Sequence, residues 1–547
     1  MTDTQQGAVD APQGEASQPL SGQARSLSDL SVEELFMLPP FPIRHPDFIN
    51  RFPVPIDEFE SLNLAAREPA QIPLAPGGEP DVQVDSEAPE QAVEGNPPED
   101  GDWGEAGPAL APTGLANFEG VPQTAFRPPD CTLAVGPNDV LVAVNVDLVG
   151  YTKAGAQRFR WANFTALFNP VLPQSAQLFD PKLAYDHYAN RWIVCVAARR
   201  ATPSQGSWIM MAVSQTPDPA GPYWIWATDA TVDGATATGN WADYPMLGFD
   251  TQAIYVSTNQ FAFGGNFAYA KVRIFNKAEL YAGGVGAGHN IRWWDFIRLR
   301  NTDNSLAFSV QPATHFQGLG GNPSAFLVNS LWPRGSSLTL WTLANPLGLW
   351  TGGAPTLTSA SVACRSYDLP PDAVQKDGGT VRIETNDTRL LNAVFQSAGG
   401  TQRLWTTHTS AFTWPGDTEA RSVVQWYEID VASRTVVQQN AYGASGRHYF
   451  FPVIQTDISR NAYVTFGRSA ADEYGQLRQT GRLVGDAPHQ LQGSALVVVG
   501  QGSYNGGRWG DYFGIGRDPS DARTVWSYGQ YAGTGNSWRT RVSSARF

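Results

Sequence analysis

The stretch DPKLAYDHYANRWIVCVA, residues 180–197, contains the pattern that decides the fold. A polar residue is followed by small and apolar residues, then by a turn rich in Asp and Asn, and then by a run of β-branched and aromatic residues. Short apolar runs separated by turn residues are typical of antiparallel strands. The stretch therefore predicts the first hairpin of a β-sheet.

The same pattern recurs along the chain after residue 112. Its seven copies begin at Asp130, Asp180, Asp243, His315, Asp387, His448 and Asp511, and successive copies start 50 to 72 residues apart. This spacing suits a four-stranded blade with long loops, and radial repetition of blades protects strand edges. We therefore predict an all-β fold with a seven-bladed β-propeller over residues 113–547. Six or eight blades remain alternatives, because the copy at Asp387 matches the pattern least well.

The two ends of this region predict how the ring closes. After the first strand of the seventh copy, the segments TVWSYGQYAG (524–533) and SWRTRVSSARF (537–547) bring the final blade to three strands, one fewer than a complete blade has. The missing strand would come from LANFEGVPQTAF (115–126), so that N- and C-terminal strands share one blade. The first strand of each copy would line the central channel, because its Gly, Ala and Pro residues permit close approach. The polar starting residues would then gather at one mouth of the channel.

Residues 1–112 have a different composition. They carry 21 Asp and Glu, four Arg and no Lys, and so contain all of the net negative charge of the chain. A long, acidic, Pro-rich segment with few bulky apolar residues is expected to be largely disordered. Within residues 26–59, Ser31 as an N-cap, Glu34 and the stop at Pro39 predict one short amphipathic helix near 31–38. This region would dock on a protein partner or pack on the chain's own sheets.

Composition excludes several classes of protein. The region after residue 112 is nearly neutral and has no Lys/Arg run, which argues against nucleic-acid binding. No apolar stretch is long enough for a transmembrane helix, and the N-terminus lacks the features of a Sec signal, which leaves a cytoplasmic location open. The motifs of α/β-hydrolases, zinc proteases, P-loop, EF-hand and dinucleotide-binding proteins are absent.

Two residue types are assigned to the interior. The three cysteines are too scattered for a zinc site and are expected to be buried thiols, with a single disulfide as the alternative. Most of the 18 tryptophans are expected to fill the space between blades. Neither type implies a required cofactor.

The aspartates at the channel mouth are candidate metal ligands. Their carboxylates would offer oxygen atoms to Ca²⁺ or Mg²⁺. The set consists of Asp130, Asp180, Asp243, Asp387 and Asp511. The alternative is that each carboxylate accepts hydrogen bonds from backbone N–H groups of the adjacent blade and organises the first strands.

The same mouth would hold candidate catalytic and ligand-binding residues. Tyr244 and Tyr512 directly follow Asp243 and Asp511, and a tyrosine beside a carboxylate suits glycoside hydrolysis of the sialidase type. The remaining candidates are ligand-binding residues for an anionic sugar, namely Arg127, Arg447, Arg508, His315 and His448. Arg beside Asp in successive blades would alternatively form ion-pair networks.

Four phrases together carry a family resemblance. They are PPDCTLAVGPN (128–138), DPKLAYD (180–186), NWADYPMLGFD (240–250) and RWGDYFGIGRDPSD (508–521). In these the chain resembles a family of bacterial, mostly secreted, sialidase-like (BNR-type) propeller proteins of unassigned activity. The resemblance implies a β-propeller and an extracellular or cell-surface location. The S-x-D-x-G-x-x-T-W boxes of true sialidases are absent, and DCTLAVG replaces the usual wording after PPD.

Three hypotheses of function follow. The first is a surface or extracellular propeller that binds a glycan or anionic small ligand at its channel mouth, with sialidase-like glycoside hydrolase activity as an extension. The second is a non-enzymatic interaction scaffold with the N-terminal arm as its docking segment. The third is a polysaccharide lyase, which needs a Tyr or His base near a cation or Arg. Fold alone does not choose among them.

Overall fold

The computed structural model describes residues 111–547, except 162, 202–203, 235, 264–266, 287–288 and 318–323, together with the backbone of residues 36–37 and 70–71. Most of the acidic N-terminal segment and of its docking region therefore lies outside the described residues. The described part is all-β, and its three helices are short: Thr165–Phe168, Lys277–Tyr281 and Gly348–Thr351. No helix in it is long and apolar enough to span a membrane.

The strands of the described part form seven antiparallel units of four strands, numbered 1 to 7 here. Unit 1 consists of Thr132–Val135, Asp139–Val144, Asp147–Thr152 and Gln157–Trp161. Unit 2 consists of Gln177–Asp186, Arg191–Arg200, Gly206–Ser214 and Tyr223–Asp229. Unit 3 consists of Asn240–Phe249, Ala253–Ala262, Phe267–Asn276 and Trp293–Phe296. Unit 4 consists of Gln311–Phe316, Ser324–Ser330, Gly335–Ala344 and Thr356–Tyr367. Unit 5 consists of Asn392–Ala398, Thr401–Phe412, Arg421–Asp430 and Thr435–Tyr442. Unit 6 consists of Arg447–Thr456, Ala462–Ala470, Glu473–Arg482 and Ala495–Val498. Unit 7 consists of Gly514–Arg517, Val525–Gly533, Ser537–Arg546 and Thr113–Glu119.

Three further pairs of very short strands lie outside these units. Val232–Asp233 pairs with Thr236–Ala237, and Ala70–Gln71 pairs in parallel with Phe126–Arg127. Phe36–Met37 pairs with Trp294–Asp295 at the open edge of unit 3. At these two residues the backbone is extended, and the rest of the helix predicted near 31–38 lies outside the described residues. A strand edge offers unpaired N–H and C=O groups, which an extended segment can use.

The core lies between the units. The second strand of unit 1, Asp139–Val144, is buried along its whole length, as expected for a strand with a sheet packed on each face. Nine tryptophans are almost completely buried, which accounts for half of those in the chain. The three cysteines are free thiols, two of them buried. The interior is therefore filled mainly by aromatic and β-branched side chains.

The first strands of the units lie side by side in chain order. Those of units 3, 4 and 5 pair in parallel, through Phe249 with Thr314 and Ala313–Phe316 with Ala393–Gln396. The first strand of unit 7 contacts the first strand of unit 1 as well as that of unit 6. The described sheets are therefore consistent with a β-propeller.

The outermost strand of unit 7 comes from the start of the described body. Thr113–Glu119 pairs antiparallel with Ser537–Arg546. Ala116 N donates a hydrogen bond to Ser544 Oγ at 3.1 Å, and the Phe118 ring lies 5.4 Å from that of Tyr151 in unit 1. The strand therefore ties unit 7 to unit 1 by side-chain packing as well as by backbone pairing.

Two glycines mark where neighbouring first strands approach most closely. A Cβ atom on Gly248 of unit 3 would lie 2.7 Å from Ala313 O of unit 4. A Cβ atom on Gly514 of unit 7 would lie 2.5 Å from Leu133 N of unit 1. Both neighbours are backbone atoms, which cannot move aside without shifting a whole strand.

We expect Gly248→Ala and Gly514→Ala each to lower the free energy of unfolding by about 1–3 kcal/mol, the range for overpacking an interior. Gly239→Ala is the matched control, because its added Cβ atom would meet nothing within 4 Å. Urea-induced unfolding measures all three. If Gly514→Ala behaves like the control, units 7 and 1 are not packed as described.

Candidate functional site

A residue with positive φ lies within the first strand, or two to six residues before it, in six of the seven units. The six are Asp130, Asp180, Tyr244, Ser309, Asn386 and Phe451, with φ between 48° and 61°. This left-handed conformation is costly for residues other than glycine, so it needs local support. It interrupts the pairing of the first strand and turns its side chains relative to the strand that follows.

Side chains from the neighbouring unit accept hydrogen bonds from the backbone N–H groups at these turns. Asn145 Oδ1 accepts from Asp180 N at 2.8 Å, and Asp180 Oδ2 accepts from Tyr244 N at 3.2 Å. In unit 7 the corresponding N–H belongs to Asp511, and Asp130 Oδ1 of unit 1 accepts it at 2.8 Å. Asp130 and Asp180 thus organise the first strands through backbone hydrogen bonds, as the structural alternative expected.

The same turns bring three carboxylates together. One oxygen each from Asp130, Asp180 and Asp511 lies within 4.8 Å of the others, and all three residues are buried. Burial, followed by the charge of neighbouring carboxylates, raises the pKa of Asp130 and Asp180 well above the ordinary value. Both effects favour the protonated, neutral form of these two carboxyl groups over the charged form.

Asp243 stands next to this cluster. Burial, and then the charge of Asp511, raises its pKa to about 7, while Arg389 and Arg508 oppose that rise. A hydrogen bond from the backbone N–H of Tyr244 acts in the same direction as these arginines, so burial and the charge of Asp511 outweigh three opposing influences on the pKa. The charge of Asp243 therefore changes near neutral pH.

Basic side chains balance much of the negative charge. Arg508 forms an ion pair with Asp511, and its Nε lies 3.7 Å from Glu384 Oε1. Lys182 places its Nζ 2.8 Å from the centroid of the Tyr512 ring, and burial lowers its pKa to about 7. Arg508 and Lys182 are therefore basic side chains that the described chain places among these carboxylates.

Three buried side chains beside the carboxylates form a cluster that we call the plug. Tyr244, Met246 and Tyr512 pack together, with the two rings edge to face at 5.7 Å between centroids. Tyr244 Oη donates to Asp511 O at 3.2 Å, and Tyr512 Oη donates to Pro181 O at 2.9 Å. Burial raises the pKa of both hydroxyls well above 10, which holds them in the protonated, weakly nucleophilic form.

A cavity of about 380 Å³ lies farther along the first strands, beyond the plug. All seven units contribute to its wall, one residue of each being Thr132, Lys182, Phe249, Thr314, Asn392, Gln455 and Arg517. The wall combines aromatic rings with amide, hydroxyl and charged groups. A cavity of this size matches the range of small-ligand sites in proteins.

The structure does not bring every predicted residue to the mouth. His315 lies within its strand, where its Nε2 accepts from Phe326 N at 3.3 Å and its ring packs on Phe395. His448 is buried against Ser422, whose N–H donates to its Nδ1 at 3.3 Å. The copies containing them were aligned in the wrong register, because the left-handed residues of units 4 and 6 are Ser309 and Phe451.

The remaining predicted ligand residues are held by protein groups. Arg127 donates to Asn536 O at 2.8 Å, and Arg447 lies 2.8 Å from Glu473 Oε1. Asp387 accepts from Arg389 Nη2 at 2.7 Å and from Trp332 Nε1 at 3.1 Å, and so is separate from the three converging carboxylates. These contacts are ion pairs and hydrogen bonds within the protein, as the alternative reading of the arginines expected.

Sequence reasoning missed Lys182 and Arg517 as residues of the channel. Both occur in the quoted phrases, DPKLAYD and GIGRDPSD, so their positions in the repeat were visible. Their partners come from distant units, and no sequence pattern announces those contacts.

No protein-family model and no curated protein matches the chain. Among solved structures it is similar to Trypanosoma rangeli sialidase in complex with sialic acid, at 9% identity and a TM-score of 0.34, covering 72% of this chain and 56% of that one. It is also similar to the α-L-arabinofuranosidase Arb93a from Fusarium graminearum, at 9% identity and a TM-score of 0.29, covering 65% and 89%. A third is a quinohemoprotein alcohol dehydrogenase from Comamonas testosteroni, at 10% identity and a TM-score of 0.33, covering 75% and 65%.

The chain spans little more than half the length of the trypanosomal sialidase. At TM-scores this low the likenesses carry no argument about activity, and the function must be argued from the site itself.

The raised pKa of Asp243 predicts how the stability of the protein depends on pH. Between the ordinary aspartate pKa of about 3.9 and its value near 7, the folded protein holds a proton that the unfolded chain releases, so stability falls as pH rises through this window. Asp243→Asn removes the ionisation. We expect the free energy of unfolding of the variant, relative to wild type, to rise between pH 4 and pH 8 by on the order of 1 kcal/mol.

The difference between the two proteins is the quantity to measure, because buried histidines titrate in both. Asp472→Asn is the control, since that carboxylate is 72% exposed. A difference that stays constant with pH would show that Asp243 is already charged in the folded protein at pH 4.

Proposed function

We propose that the seven units are the blades of a closed seven-bladed β-propeller, with the N- and C-terminal strands of the body sharing the last blade. Two observations support this. The first strand of unit 7 contacts that of unit 1, and a single cavity has a wall built from all seven units. A ring of separate blades around one axis accounts for both.

The function that the geometry supports best is the binding of a glycan, or a sugar-sized part of one, in the channel cavity. The observation that carries this proposal is the chemistry of the wall. Gln311, Thr314 and Gln455 offer amide and hydroxyl groups, while Phe249 and Phe513 offer apolar ring surface. Sugars present hydroxyl groups at their rim and C–H groups on their faces, which these two kinds of side chain complement.

This proposal places the ligand in the cavity rather than at the carboxylates. Asp130 and Asp180 accept backbone N–H groups, and both plug tyrosines donate to backbone carbonyls, so these groups are occupied in holding the first strands. Cleavage of the glycan by a tyrosine nucleophile or a tyrosine base is therefore no part of the proposal. The extracellular or cell-surface location implied by the family resemblance agrees with a glycan ligand.

Ligand binding is tested by thermal unfolding with a panel of neutral and acidic monosaccharides and short oligosaccharides. A ligand that binds only the folded state raises the unfolding midpoint in a concentration-dependent manner. Ala184→Leu adds bulk to the cavity wall and is expected to remove the shift, while Ala237→Leu, at an exposed position, is expected to retain it. If no sugar shifts the midpoint, glycan binding is excluded and the scaffold hypothesis takes its place.

The sequence-based expectation of Ca²⁺ or Mg²⁺ is kept as a separate proposal for Asp130, Asp180 and Asp511. Their converging oxygen atoms support it, and the nearby Arg508 and Lys182 compete with it. If a cation binds, Ca²⁺ or Mg²⁺ raises the unfolding midpoint, EDTA lowers it, and Asp180→Asn abolishes both effects. No response to EDTA or to added cation would leave the basic side chains as the neutralising charges.

A further inference from the structure

Arg517 is held rigidly in the wall of the channel cavity. It ends the first strand of unit 7, and its Nε donates to Thr456 O at 2.7 Å, while Nη2 donates to Thr456 Oγ1 at 3.1 Å. The guanidinium carbon lies 3.9 Å from the centroid of Phe316, and the ring of His187 stacks on Phe316 at 4.7 Å. Contacts from units 4 and 6 therefore fix the direction of the guanidinium, and His187 of unit 2 supports the Phe316 ring.

These contacts leave part of the guanidinium unused. A guanidinium has five N–H donors, and Thr456 takes one from Nε and one from Nη2. Three N–H groups on Nη1 and Nη2 remain, and no hydrogen bond from Nη1 to a described residue accompanies them. The end of the group, between Nη1 and Nη2, is the edge that pairs with a carboxylate through two parallel hydrogen bonds.

The charge of Arg517 also lacks a close counter-charge. Burial lowers its pKa to about 10, which leaves it cationic at neutral pH, and no described carboxylate lies within ion-pair distance. Asp457, the acid that acts on it most strongly, is engaged by Asn461 Nδ2 at 2.8 Å and by Asn461 N at 3.0 Å. A partly buried cation without an ion-pair partner is costly unless a ligand supplies the opposite charge.

Other charged groups of the cavity do not supply it. Asp518 is paired with Lys153 Nζ at 2.7 Å and accepts from Trp526 Nε1 at 3.0 Å. Lys182, whose pKa burial lowers to about 7, carries no negative charge in either protonation state. Burial lowers the pKa of His187 to about 4, so at neutral pH it contributes no charge. The wall near Arg517 is therefore positive.

We propose that the ligand of the channel cavity carries a carboxylate that pairs with the Nη1–Nη2 edge of Arg517, and that the ligand class is an acidic sugar such as a uronic acid. The inference rests on the proposed glycan binding and specifies its ligand. Ring stacking and sugar hydroxyl contacts come from the rest of the wall, and the choice between acidic and neutral sugars comes from Arg517.

The test compares D-glucuronate with D-glucose and D-glucuronamide, which lack the negative charge, by calorimetric titration of the full chain. We expect glucuronate to bind at least about tenfold more tightly than either neutral sugar, as for a charge-assisted pair. Arg517→Gln is expected to reduce that preference to within about threefold. Arg517→Lys keeps the positive charge but loses the two parallel N–H donors of the guanidinium, so its preference for glucuronate is expected to lie between that of wild type and that of Arg517→Gln.

Arg546→Gln is the control, because this arginine is 49% exposed and lies 3.5 Å from Asp521; it is expected to keep the full preference. Acetate and sulfate alone are expected to bind more weakly than glucuronate, and equal binding would overturn the sugar part of the inference.

The outcomes separate the two proposals. If the sugars bind but wild type does not prefer glucuronate, or if Arg517→Gln keeps the preference, the inference fails and glycan binding stands. If no sugar binds to wild type, glycan binding itself is excluded. The comparison of ligands on wild type needs no variant, so poor folding of a variant does not block the test.

Discussion

The structure depends on how neighbouring first strands are held together where they are closest. In six units the strand turns at a residue in the left-handed conformation, which most side chains avoid. The cost is offset where the N–H group at the turn meets a side-chain acceptor from an adjacent unit, as Asn145 and Asp180 provide for units 2 and 3. A carboxylate or amide in one unit thus sets the backbone of the next, and the polar residue that marks the repeat in the sequence is part of the architecture.

This constraint explains why so many charges accumulate at one end of the channel. Each acceptor must lie near the axis, so several carboxylates converge, and burial raises the pKa of Asp130 and Asp180. Arg508 and Lys182 then offset the remaining negative charge from within the same few strands. Beyond the plug lies the cavity, whose wall takes residues from all seven units and leaves the edge of Arg517 without a partner among the described residues.

The sequence revealed the repeat and its all-β character because both are local. A polar residue, a short apolar run and a turn can be recognised in the linear text, as in the copies at Asp130, Asp180 and Asp511. It placed His315 and His448 in the wrong register, because the left-handed residue is Ser309 before the first strand of unit 4 and Phe451 within the first strand of unit 6, and neither resembles the aspartates of the other copies. The environments of Lys182 and Arg517 depend on Tyr512, Phe316 and Thr456 in other units. Contacts of that range follow from three-dimensional packing and have no signature in the spacing of residues.

The pairing of Thr113–Glu119 with Ser537–Arg546 has a consequence for biosynthesis. Ala116 and its hydrogen-bond partner Ser544 are 428 residues apart in the chain, so the first strand of the body leaves the ribosome long before its partner exists. Until then Thr113–Glu119 has no partner in its own sheet, and units 1 and 7 cannot meet. Earlier units can form on the nascent chain, but the pairing that completes unit 7 follows translation of the final strand. Ribosome stalling or premature termination near the C-terminus would therefore leave Thr113–Glu119 without its partner strand and the facing sides of units 1 and 7 unpacked.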